Sequence, residues 1–185
     1  MTEFRSFSPT DHSVSPATTD VAKLLLNAWS AEFALRIKPI STDRHYLIGS
    51  LSWVYPQAYF SVLFSVRAVL AVDGIRIANP ARIETQLTKW VQQGLYGVDE
   101  ALNELVHLMQ HGPHRLAGIS PLSGPEAAAL HVQLTQQLNT VSLIHESYLH
   151  SRMGASTYQQ LIDGLPAYLR EGAPAARATL LQNPD

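Results

Sequence analysis

Three histidines fall close together in the stretch "HLMQHGPH", where His107 and His111 are one helical turn apart and His114 follows. Glu104 shares their helical face, so Glu104, His107 and His111 could hold a zinc ion with water in an open position, the arrangement that supports metal-assisted hydrolysis. The same face lies opposite Leu102, Leu105 and Met109, where a surface helix places polar residues in any case. No fixed fourth ligand stands out, and without a cysteine in the chain thiolate metal sites and cysteine nucleophiles are excluded.

His145 is of another kind. Leu134, Leu138, Val141, His145 and Leu149 follow one apolar stripe, which points the imidazole inward. A buried imidazole needs a partner, and it is either a core histidine bonded to a tyrosine or the backbone, or a general base lining a cleft. Glu146, His150 and Arg152 are expected on the neighbouring face, towards solvent. Arg67 is the odd residue of the most apolar stretch, "YPQAYFSVLFSVRAVLAVDG", and a guanidinium there needs a carboxylate such as Glu32 or Asp73, or else a phosphate. If the chain binds nucleic acid, Arg67, Arg115, His150 and Arg152 are the candidates for charge. Trp29, Trp53 and Trp90 could stack on bases or pack in a core. No Gly-rich phosphate loop, HExxH or GxSxG motif occurs.

These residues must be positioned by helices. The chain has 185 residues, of which 46% are hydrophobic and 15% charged, the balance of one globular domain with a genuine core. Thirteen basic and fifteen acidic residues leave a net charge of −2, which gives no global field for nucleic acid. Residues 1–15 read as a polar tail without the pattern of a secretory signal, and a cytoplasmic location is expected. Pro16 opens a first helix through "ATTDVAKLLLNAWSAEFALRIK". A longer one runs from Arg44 to Val72, interrupted at Pro56 and closed by Asp73-Gly74. Pro56, Gln57, Ser61, Ser65 and Arg67 break its apolar run, so no membrane span is expected. Ala58, Ser61, Ser65 and Ala68 line a small-residue seam on it that admits a close neighbour. Asn79-Pro80 restarts a helix to Gly94, Asp99 begins another, and residues 112–125 are loop by composition. Ser123 and Glu126 have capping-box spacing before a long helix that stops at Gly154, and a last piece is broken at Gly164-Leu165-Pro166. With no sustained alternation for strands, the expectation is all-α: an antiparallel bundle of four to five main helices around a kinked central helix, spanning 16–172, with 173–185 a C-terminal tail.

The segment Ala58-Tyr59, Phe60, Phe64, Arg67-Ala68-Val69-Leu70 and Gly74 resembles the second long helix of HEPN domains, a helical family that includes toxin ribonucleases and non-catalytic relatives. The resemblance covers about twenty residues in detail. It implies a dimer that binds RNA or a protein partner, in a toxin–antitoxin or defence setting. The family's catalytic signature is an Arg followed within one or two helical turns by a His, the Arg steadying phosphate charge and the His moving a proton. Arg5 and His12 match formally but lie in the polar tail. The corresponding place is "RMGASTY", where Tyr158 stands instead of His after Arg152 and Gly154. A tyrosine with a pKa near 10 is a poor base at neutral pH. The resemblance therefore implies a non-catalytic member, without cofactor. The alternatives are a metal-dependent bundle enzyme using the histidines and a pure protein-interaction subunit.

Overall fold

The computed structural model describes residues 16–37, 43–93 and 123–182. They form seven helices: α1 Pro16–Arg36, α2 Arg44–Val72, α3 Pro80–Gln92, α4 Gly124–Met153, α5 Ala155–Asp163, α6 Ala167–Arg170 and α7 Ala173–Gln182. The fold is an all-α helical bundle, with no strand among the described residues.

Local chemistry explains the boundaries. Asp43 caps α2, its carboxylate accepting from the His45 and Tyr46 amides at 2.8 and 3.2 Å. Pro56 lies inside α2, and the helix ends at Gly74, whose φ of 78° is open to glycine at little cost. Asn79 accepts from the Ala81 amide at the start of α3. At α4 the capping box is complete: the Ser123 amide donates to Glu126 at 2.7 Å and the Glu126 amide to Ser123 Oγ at 3.4 Å.

The three long helices make the core. α1 packs most closely on α2, and α2 in turn on α4. Leu35, late in α1, shares a cluster with Val54 and Ala58, whereas Val21 and Leu25, early in α1, meet Ala68 and Val69. α1 and α2 are thus antiparallel, as their short connection requires. α2 and α4 run parallel: Ser50 meets His131, Ser65 meets His145, and Asp73 meets Arg152 in the same order along both helices. α4 begins at the end of the bundle where α2 begins, with Gly124 beside Arg44.

Ala58, Ser61, Ser65 and Ala68 are all buried, so the small-residue seam faces inward as expected. α2 is also long and apolar enough to cross a membrane by length and composition, with a mean hydropathy of 1.2, but 61% of that window is buried inside the bundle. One flank of α2 does meet solvent, where Trp53 is 73% and Phe60 40% exposed.

The C-terminus corrects an expectation. Residues 173–182, read as part of a tail, form α7, and Pro174, Arg177 and Ala178 of that helix are buried. Ala175 and Leu181 pack against the core beside them, and the largest side chain that α7 buries is an arginine.

Candidate functional site

Arg177 is 2% exposed and lies between two buried carboxylates, Glu32 of α1 and Glu146 of α4, each 1% exposed. Its Nη1 and Nη2 donate to Glu32 at 2.8 and 2.7 Å, and its Nε and Nη2 donate to Glu146 at 2.9 and 2.7 Å. Nη1 also donates to Asn139 Oδ1 at 3.1 Å, so all five N–H groups are used. Trp29 Nε1 donates to Glu146 at 2.7 Å, and Arg36 donates to Glu32 at 2.8 Å and to Asn139 at 3.3 Å from the half-buried rim.

The electrostatics follow from this count of charges. Burial opposes a charged Arg177, yet hydrogen bonds and attraction from Glu32 and Glu146 prevail and hold its pKa above the ordinary value. Glu146 moves upward as well: burial is the largest influence, and Arg177 and Trp29 offset it only in part while the Glu32 charge adds to it. The two directions are compatible because one central cation is shared by two carboxylates. Among the described residues Glu32 has a second cation in Arg36, and Glu146 does not.

Beside this cluster lies a second pair. His145 is 1% exposed, as its stripe predicts, and its Nδ1 is 2.8 Å from Ser65 Oγ. This partner is a serine of the small-residue seam. Burial lowers the His145 pKa to about 4, so the ring is neutral at physiological pH. His145 underlies a cleft of about 600 Å³ whose rim carries Asp73, Tyr148 and Ser151 and whose walls include Trp90 and Leu180.

Glu146 corrects the expectation of solvent exposure, because the inward stripe of α4 is wide enough to take Ser142 and Glu146 beside His145. Arg67 is not paired with Glu32 or Asp73; its guanidinium carbon sits 5.8 Å from the Phe64 ring centre, and both carboxylates serve other arginines. Arg152 is exposed and bound to Asp73, its Nε donating at 2.9 Å, and Tyr148 donates to the same carboxylate at 2.6 Å. His150 is half-buried and meets the Tyr158 ring edge-on, with centroids 5.5 Å apart. Tyr158 is 1% exposed; burial, then the nearby Glu146 charge, raises its pKa, although its hydroxyl has no hydrogen-bond geometry to a partner among the described residues. The structure thus puts Arg152 at the surface and Tyr158 inside, on opposite sides of Gly154. Glu104, His107, His111 and Arg115 lie outside the described residues.

No family model, curated protein or solved structure matches this chain. Its reading rests on its own geometry. A third feature of that geometry is a groove of about 490 Å³ where the end of α1 meets the start of α2, lined by Leu35, Ile37, Tyr46, Trp53, Val54 and His131 among others. Ile37, Tyr46 and Trp53 are exposed there.

Sequence reasoning missed Arg177 and Glu32 as a pair. The available signal was a lone carboxylate flanked by Ala31 and Phe33 in an apolar helix, which has to find a cation.

Proposed function

We propose that this chain is a non-catalytic, HEPN-like helical module that binds a protein partner through the aromatic groove between α1 and α2. The observation that carries this reading is the exposure of Trp53, 73% accessible beside the exposed Ile37 and Tyr46, in a chain whose α1 tryptophan, Trp29, is fully enclosed. Exposed aromatic residues rimming an apolar groove are the material of interface anchors.

The residues with chemical potential support the non-catalytic part. His145 is neutral, enclosed and bonded to Ser65, and a base with a pKa of about 4 takes up little of a proton at neutral pH. Tyr158 is buried with its pKa raised. Of the arginines, Arg152 is engaged by Asp73, Arg76 by Asp20 and Arg36 by Glu32.

A photo-crosslinking residue at position 53 of the full chain, in the native host, tests the reading. A discrete protein adduct is expected, and none when the same residue replaces the exposed Asp163 at the far end of the bundle. An RNA adduct at position 53, or equal labelling from both positions, rejects it.

A further inference from the structure

Arg177 is held by the bundle as a receptor holds a ligand. The walls of its pocket belong to other helices: Trp29 and Glu32 lie one turn apart on α1, and Asn139 and Glu146 lie two turns apart on α4. Arg36 braces Glu32 and Asn139 from the rim, so the acceptors are aimed independently of α7. α7 has other contacts: Pro174 and Ala178 are buried, Ala175 and Leu181 pack against the same core, and Gln182 donates to Gln159. Arg177 is its one buried charge, and Leu180, next to Leu181, is 60% exposed.

We propose that Trp29, Glu32, Asn139 and Glu146 form a guanidinium receptor, filled in cis by Arg177. This makes the C-terminal helix a latch keyed by one side chain. The ligand class is an arginine side chain or a small guanidinium compound. Two carboxylates face the guanidinium along two of its edges, and Asn139 takes the remaining N–H, a planar five-donor pattern that an ammonium group does not reproduce. A neutral occupant would leave two carboxylates in the interior with only the rim cation Arg36, so the pocket selects for charge as well as shape. The inference is independent of the groove at Trp53.

Thermal melts of full-length Arg177→Ala, with and without low-millimolar guanidinium or ethylguanidinium chloride, test the receptor. Sodium chloride at matched ionic strength is the control. The variant is expected to melt below wild type, and the guanidinium ligand at about tenfold its dissociation constant is expected to raise the variant's Tm by roughly 3–6 °C. Wild type, with its receptor filled, should show no such rise. No rise in a folded variant beyond the sodium chloride control overturns the receptor. Hydrogen exchange of the wild-type chain decides the latch even if the variant does not fold. Amides in residues 176–182 should exchange at least about 100-fold faster than those of 62–70, by local opening; equal protection of the two segments overturns the latch.

Discussion

Acidification should destabilise this protein through His145 in a way one substitution can isolate. The imidazole has its ordinary pKa of 6.5 in the unfolded chain and about 4 in the fold, because burial disfavours its charged form. Between those values the unfolded chain binds a proton that the folded chain does not, so stability rises with pH across this window. The contribution is fully present above about pH 6.5 and is lost as pH falls to about 4 and below. At about 1.4 kcal/mol per pKa unit, the two and a half units amount to about 3 kcal/mol. With a urea m-value of about 2 kcal/mol per molar, that is a midpoint shift of roughly 1.5 M. Glu146 acts in the opposite sense: its pKa is raised, so folding favours its protonated form and stability from it falls as pH rises through the folded value. A raw pH profile therefore sums several groups, and the useful quantity is the difference between wild type and His145→Gln in paired urea titrations. That difference should shrink by about 3 kcal/mol between pH 7 and pH 4, since Gln keeps a polar partner for Ser65 and does not titrate. A difference constant to within about 1 kcal/mol would show that His145 is not held neutral in the interior, and the bonded, enclosed geometry at Ser65 would fall with it.

Glu146→Ala should cost about 3–5 kcal/mol by chemical denaturation, because it leaves Arg177 short of one carboxylate and Trp29 Nε1 without its acceptor; a loss below about 1 kcal/mol would show the cluster to be solvated. Tyr158→Phe should stabilise the fold by about 1–3 kcal/mol in the same assay, since it removes a buried hydroxyl that has no hydrogen-bond partner among the described residues, and a loss of stability would show that the hydroxyl is bonded. Gly154→Ala should cost about 1–3 kcal/mol although a Cβ there meets nothing within 4 Å, because φ 84° with ψ 148° is glycine territory, and a melt equal to wild type would refute the strain.

What the sequence made legible is what local chemistry controls. The end of α2 follows from Asp73-Gly74, the start of α4 from Ser123 and Glu126, and the inward turn of His145 from a stripe of leucines and valine. Helix direction was less legible. The parallel run of α2 beside α4 depends on how the chain returns between them, and periodicity within a helix carries no information about its neighbour's sense. Residue-level charge pairing was illegible for a related reason. Arg177 and Glu32 are 145 positions apart, and an arginine in an Ala-rich C-terminal stretch looks the same from sequence whether it meets water or two carboxylates. A narrow stripe through His145 leaves Glu146 outside, whereas α4 buries a broader arc where it faces both α1 and α2.

The buried charges also bear on why the bundle has one arrangement. Apolar contacts among α1, α2 and α4 reward any packing that excludes water, and helices with apolar residues spread this evenly around their circumference have little to fix which side turns inward. A carboxylate inside the bundle does not tolerate such freedom, because a slip of α1 by one residue along α4 would carry Glu32 away from Arg177 and leave ions unpaired. Replacing a buried ionic cluster by apolar side chains often leaves stability unchanged or higher, so the cluster's effect lies mainly in excluding alternatives. Asn139 strengthens the restriction, since one carbonyl oxygen accepts from both Arg36 and Arg177 and ties the two cations to a single position on α4. The register of α1 against α4 and the seating of α7 are thereby fixed together, and the groove at Tyr46 and Trp53, one wall of which is the end of α1, inherits its shape from the same contacts.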